Sequence, residues 1–185
     1  MEQLRSLYEK YGANEYYGEA VTQYQHAIQS AYSAEQYDPN NHELIIAAFL
    51  HDVGHLLGEK PEDHMGELGV LRHESVGAEY LRNKVGLSER ICYLVANHVN
   101  AKRYLTHADK DYYDRLSDTS KQTLVYQGGP MNNDEAEKFR SHPQFELCLR
   151  MRTFDEAAKE TNFNQYEEKA EHYWNLVEKY INNKN

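Results

Sequence analysis

Apolar positions along the chain recur at three- and four-residue steps, the spacing of one helix face, and nowhere settle into sustained alternation. The pattern predicts an opening helix near Glu2–Tyr11 that stops at Gly12. A second runs from about Glu19 to Gln36, with Val21, Tyr24, Ile28 and Ala31 as its apolar stripe. Asp38-Pro39-Asn40-Asn41 turns the chain and offers capping side chains to a third helix. That helix, Leu44 to Leu50, is apolar all round, so it belongs at the centre of the molecule and is expected to end at Gly54. Gly58, Pro61, Gly66 and Gly69 mark Leu57 to Leu71 as an irregular loop over a pocket. A fourth helix over about Glu74–Asn83 stops near Gly86. Ser88 then caps a fifth, in which Ile91, Leu94, Val95 and His98 share a face. Shorter helices cover Tyr112–Leu116 and Asp118–Tyr126 before Gly128-Gly129-Pro130 breaks the chain. Asp134–Arg140, Gln144–Glu160 and Gln165–Ile181 complete an all-α set within one domain over residues 1–185.

A length of 185 residues allows a single sizeable core. The formal charge of −10 argues against a non-specific nucleic-acid or anionic-membrane binder, since both need a basic surface. A small anion held by a few focused cations remains compatible with it. No apolar run reaches the roughly 18 residues of a membrane span, and Met1-Glu2-Gln3-Leu4-Arg5 lacks the basic and apolar regions of a secretory signal. A cytoplasmic protein is the expectation, with a monomer as the default. A disulfide between Cys92 and Cys148 is open on sequence alone, but buried free thiols fit a reducing compartment better.

Ten histidines are the compositional oddity. His51-Asp52 closes the most apolar helix, where a surface position is hard to sustain. Burying an unpaired carboxylate is costly, so Asp52 calls for a charged partner or a metal. His26 lies within the second helix, His73 begins the fourth, His98 closes the fifth, and Asp155 falls in a late helix. Any one of these histidines alone would more often be a hydrogen-bonded, partly buried residue. Their succession on consecutive predicted helices points instead to metal. Imidazole and carboxylate without thiolate suit iron, manganese or zinc rather than copper(I) or an iron–sulfur cluster. Six such groups exceed one tetrahedral site, and a carboxylate can bridge two ions, which makes Asp52 the economical shared ligand. His42, His64, His107, His142 and His172 are left to surface or structural places.

This succession resembles the HD-domain superfamily, whose helical core holds metals through a histidine, an adjacent His-Asp and a distant Asp. His73 and His98 resemble its binuclear subset. The resemblance implies an HD-domain helical bundle around a binuclear centre, in which His26, His51 and Asp155 hold one ion, His73 and His98 the other, and Asp52 bridges. Most HD proteins are phosphohydrolases, so a metal-dependent phosphohydrolase is the alternative reading. Their binuclear branch typically shows His-Asp-x-Gly-Lys, whereas this chain has His51-Asp52-Val53-Gly54-His55. His55 instead matches an oxygenase subset, in which this position orients groups around the metals. The segments Tyr16–Glu19, His98–Leu105, Tyr126–Met131 and Arg150–Asp155 resemble the phosphonate-degrading di-iron oxygenases, over about Tyr16 to Asp155. The myo-inositol oxygenases are more distantly similar.

That resemblance implies a mixed-valence Fe(II)/Fe(III) pair, a small phosphonate substrate and O2. Lys102, four residues after His98, and Arg152, three before Asp155, share helix faces with ligands. On spacing alone both would be solvated; the resemblance makes them phosphonate donors together with Ser120 and Gln127. It further implies that Tyr16 ligates an iron until substrate displaces it, with Tyr17 competing for that role. Glu19 would hold the far end of the substrate, where an amino group would sit. From the residues alone, Glu19 fits an N-terminal helical turn equally well. The expected reaction is O2-dependent cleavage of the carbon–phosphorus bond of a small 1-hydroxyphosphonate. The first choice of substrate is 2-amino-1-hydroxyethylphosphonate, giving glycine and phosphate; hydroxymethylphosphonate, giving formate and phosphate, competes closely. The complete ligand set speaks against a degenerate binding module, and Lys102, Ser120 and Arg152 suit an anion better than a neutral polyol.

Overall fold

The most apolar helix is also the most enclosed. The computed structural model describes residues 1–16, 18–57, 65, 68–163 and 166–183. In it every side chain from Leu44 to Leu50 of α3 (His42–Leu50) is buried, and the Asn41 side chain caps the helix at Leu44 N–H. Around α3 pack α2 (Gln23–Tyr37), α5 (Glu89–Ala108) and α9 (Phe145–Ala157), while α10 (Tyr166–Asn182) covers α2 and α3. Phe49 of α3 meets the rings of Tyr8, Tyr173 and Trp174 at centroid distances of 5.7, 5.7 and 4.8 Å. These contacts tie α1 (Glu2–Tyr11) and α10 to the same core. α4 (His73–Tyr80) packs on α5 and on a 3-10 turn, Val53–Leu56, that follows α3. The shorter α6 (Tyr112–Arg115), α7 (Asp118–Tyr126) and α8 (Asn133–Arg140) lie between α5 and α9 in the chain. The expected all-α bundle is present among the described residues. Among the described residues no helix is long and apolar enough to cross a membrane, and Cys92 and Cys148 are buried with no disulfide between them.

Three boundaries differ from expectation, each for a local reason. α2 begins at Gln23 rather than Glu19, because Tyr16 N–H donates to Val21 O at 2.9 Å and Glu19 N–H to Tyr16 O at 2.8 Å, closing a turn. Thr22 then starts the helix with a capping box: its hydroxyl accepts from Gln25 N–H while the Gln25 side chain accepts from Thr22 N–H. Glu19 is therefore not a helix residue, and the macrodipole does not account for it. Gly18 in this turn has φ 74°, and a Cβ there would come within 2.7 Å of Thr119 Oγ1, so the turn lies directly against α7.

The second difference is at α3, which ends at Leu50, leaving His51 and Asp52 in the turn before the 3-10 segment. The third is at α9, which stops at Ala157 rather than Glu160. Beyond it, side chains of α2 take over the backbone: Gln29 donates to Glu160 O at 2.9 Å and accepts from Glu160 N–H at 2.8 Å. Of the predicted 57–71 loop, residues 58–64 and 66–67, including His64, lie outside the described residues, as does Tyr17.

Candidate functional site

Four histidines reach the same interior point from four elements: His26 from α2, His51 after α3, His73 at the start of α4, and His98 in α5. Each Nδ1 lies 2.8–3.0 Å from a backbone carbonyl: Ala158 for His26, Ala48 for His51, Val70 for His73 and Val95 for His98. A carbonyl only accepts, so each Nδ1 carries the proton and each Nε2 presents a lone pair inward. Between them lies Asp52, buried, with its two oxygens facing opposite ways. Oδ2 is 3.5 Å from His26 Nε2 and 3.3 Å from His51 Nε2; Oδ1 is 3.5 Å from both His73 Nε2 and His98 Nε2. Burial raises the pKa of Asp52, and positive charge set beside it, such as protonated His51, His55, His73 and His98 would carry, holds it well below the usual carboxylate range.

The lone pairs test whether a metal fits. His26 Nε2 and His51 Nε2 stand 3.2 Å apart, and His73 Nε2 and His98 Nε2 stand 3.0 Å apart. Two unprotonated nitrogens so close repel unless a cation lies between them. Burial, with His51 nearby, pushes His98 down to about 3, so a proton does not serve there. Ligand nitrogens about 2.1 Å from one ion stand about 3.0 Å apart at right angles and about 3.4 Å apart in a tetrahedron. The spacing therefore suits a metal ion at each histidine pair, one on each side of Asp52.

Asp155 of α9 completes the first side, its Oδ1 3.3 Å from His26 Nε2 and 3.9 Å from His51 Nε2. These three groups form one compact cluster of possible ligands. The other Asp155 oxygen is paired with Arg152 Nη1, whose charge outweighs burial and holds the carboxyl well below its ordinary pKa. Tyr16 stacks on His26 at 3.8 Å between centroids, and its hydroxyl donates to Asp155 Oδ1 at 3.4 Å. Burial, then Asp155 and Asp52, raise its pKa well above that of an ordinary phenol.

His55 sits beside the second side, stacked on His73 at 3.9 Å. Its Nδ1 accepts from Val70 N–H at 3.1 Å, so in the neutral ring Nε2 carries the proton and acts as a donor. It forms a compact cluster of possible ligands with Asp52 and His73. Gly54, in the same His-Asp-Val-Gly-His run, is required by a close approach: a Cβ there would lie 2.0 Å from His73 O.

A cavity of about 50 Å³ opens onto the Asp52 centre. Lys102, Ser120, Gln127 and Arg152 line it with Tyr16, Glu19 and His55, so the structure brings every predicted site residue together. Lys102 is buried, donates to Thr123 Oγ1 at 2.9 Å, and is pushed down to about 7 by burial with Arg152 nearby. Arg152 is more committed than expected. Beyond Asp155 it serves Tyr112 OH and Glu156 through Nε at 3.0 and 2.9 Å, and Ser120 Oγ through Nη2 at 3.4 Å. Gln127 Oε1 is buried without a hydrogen-bond partner among the described residues. His42, His107, His142 and His172 lie outside the cavity, as expected.

A profile of the HD domain matches residues 23–142. The chain belongs to the HD domain family. It is 37% identical over 177 residues to an uncharacterized protein of Acanthamoeba polyphaga mimivirus, covering 95% of this chain and 79% of that protein. It is 34% identical over 177 residues to [1-hydroxy-2-(trimethylamino)ethyl]phosphonate dioxygenase (glycine-betaine-forming) of Leisingera caerulea, covering 96% and 86%. It is also 34% identical over 161 residues to hydroxymethylphosphonate dioxygenase of Gimesia maris, covering 85% and 79%. The HD-domain match contains His26, His51, Asp52, His73 and His98, while Tyr16, Glu19, Arg152 and Asp155 lie outside it.

Sequence reasoning missed three groups of this HD-domain site. Thr123 receives Lys102, Tyr112 holds Arg152, and Lys159 pairs with Glu19. Thr123, three residues after Ser120 on α7, carried a detectable spacing signal. Lys159 follows Asp155 at the same interval as Lys102 follows His98 and falls inside the predicted Gln144–Glu160 helix, so the same spacing signal was there to read although α9 itself ends at Ala157.

Proposed function

We propose that this HD-domain chain catalyses the O2-dependent cleavage of the carbon–phosphorus bond of a small 1-hydroxyphosphonate, releasing phosphate and a carboxylic acid. The observation that carries this reading is Asp52 presenting one oxygen to each histidine pair beside a cation-lined cavity. Relatives acting on two hydroxyphosphonates support it. His26, His51 and Asp155 would hold one iron, His73 and His98 the other, and Asp52 both. Two histidines and a carboxylate on one face are the ligand set of non-haem iron oxygenases. The bound mixed-valence Fe(II)/Fe(III) pair would supply the redox chemistry by which dioxygen oxidises C1. The reaction balances without an external reductant: hydroxymethylphosphonate plus O2 equals formate plus phosphate.

The chain's own residues position and neutralise. The Lys102 ammonium and the Arg152 guanidinium offset the phosphonate charge inside a buried wall, where such pairs are poorly screened. The Ser120 hydroxyl and the Gln127 carboxamide add hydrogen bonds. Tyr16, over His26 and against Asp155, covers the first ion's side until substrate arrives. His55 Nε2–H, held by Val70, orients groups at the second. In this reading all six ligands and the described cavity wall come from one chain, so the site needs no residue from a second copy and a monomer suffices. Cytoplasmic residence suits two buried cysteines that are not joined by a disulfide.

The test is phosphate release from hydroxymethylphosphonate and 2-amino-1-hydroxyethylphosphonate by the iron-loaded protein, with and without dioxygen. Release that requires dioxygen is expected. Release of phosphate without dioxygen would identify a hydrolase instead.

A further inference from the structure

The cavity wall carries the Glu19–Lys159 ion pair. The Lys159 ammonium donates to the Glu19 carboxylate and to Ser117 Oγ at 3.2 Å, and both Glu19 and Lys159 line the cavity. Neither is a loose surface group. Lys159 lies between two residues pinned to α2: Ala158, whose carbonyl receives His26 Nδ1, and Glu160, bonded in both directions by Gln29. Glu19 is fixed by its N–H to Tyr16 O and by Gly18 pressed against Thr119. The pair is thus placed by the same contacts that orient the first side of the centre.

An ammonium on the substituent of C1 would seek Glu19 and meet the Lys159 charge already there. Like charges brought together in a partly buried site repel strongly, because little water intervenes to screen them. We propose that Lys159 is a specificity-determining residue: it caps Glu19 and directs the site to 1-hydroxyphosphonates whose C1 substituent is small and uncharged, hydroxymethylphosphonate first. This rests on the carbon–phosphorus cleavage proposed above, and it replaces the expectation that Glu19 receives an amino group. The two named relatives differ in this feature, one taking a trimethylamino substituent and the other none. The Glu19–Lys159 pair of this chain argues for a substrate of the second kind.

The experiment compares wild type, Lys159→Met and the double variant Lys159→Met/Glu19→Gln. It measures kcat/KM for hydroxymethylphosphonate and 2-amino-1-hydroxyethylphosphonate, and anaerobic dissociation constants for both by calorimetry. A ratio of two substrates on one preparation is insensitive to the fraction folded or metal-loaded. Should Met at 159 disturb the fold, Lys159→Gln, which can still hydrogen-bond Ser117, takes its place. Wild type is expected to favour hydroxymethylphosphonate about tenfold or more. Lys159→Met should move both ratios toward the amino compound about tenfold, and adding Glu19→Gln should reverse that gain. Wild-type preference for the amino compound, or an unchanged ratio in Lys159→Met while phosphate is still released, would overturn the assignment and leave the cleavage reading standing. Release of phosphate from neither compound by any of the three proteins would overturn that reading and the assignment with it.

Discussion

The two sides of the Asp52 centre are built by different means. On the His73/His98 side, each imidazole is oriented by the carbonyl three residues before it, Val70 or Val95, so ligand and support arrive together from one short segment. On the other side only His51 works this way, through Ala48. His26 depends on Ala158 and Asp155 on Tyr16, contacts that bring together residues far apart in sequence, while Arg152 supports Asp155 from three residues before it. The first side is also wired into the cavity wall, since Arg152 touches both Asp155 and Ser120. Damage to the substrate wall should therefore reach one ion and spare the other.

Asp52→Asn should erase the comparison altogether. Its carboxylate serves both sides, so metal analysis should find both ions lost, with phosphate release at background and the helical circular dichroism retained. His73→Ala divides the centre: we expect one iron rather than two and no turnover, and an unchanged stoichiometry would remove His73 from the ligand set. Arg152→Met tests the wiring. Supporting groups behind metal ligands are typically worth about 10–100-fold in affinity, so the first side should weaken by that factor while the second keeps its iron, and KM should rise as well.

Lys102→Ala gives the contrasting outcome, because Lys102 is bonded to Thr123 and Ser120 rather than to a ligand. A hydrogen bond to a charged group is worth about 1.5–3 kcal/mol, so KM should rise about 10–100-fold with both irons retained. Iron loss in this variant would make Lys102 structural. The smallest effect is the pH dependence. Lys102 is held down to about 7, charged below that value and neutral above it. KM for the phosphonate should accordingly rise as pH increases through about 7, and this limb should vanish in Lys102→Ala.

The order of helices could be read from the chain because an apolar stripe at helical spacing has one main use, and α3, apolar all round, had to be central. The caps at Asn41 and Ser88 were likewise local chemistry. His51-Asp52 could be read as metal-binding because a carboxylate carried inward by seven buried apolar residues must be neutralised by a cation. The helix starting near Glu19 was misplaced because an amphipathic stripe does not reveal where a turn competes. The Tyr16–Val21 turn and the Thr22 capping box decided that boundary.

The residues themselves determined the ligand types, their helices and the i−3 carbonyls behind His51, His73 and His98, all short-range consequences of helical geometry. Only the tertiary structure decided that Asp52 turns one oxygen to each histidine pair, that Arg152 is shared between Asp155 and Ser120, and that Lys159 caps Glu19. These are meetings of segments as far as 140 residues apart. Their geometry follows from how the helices pack, and no local pattern along the chain encodes that packing.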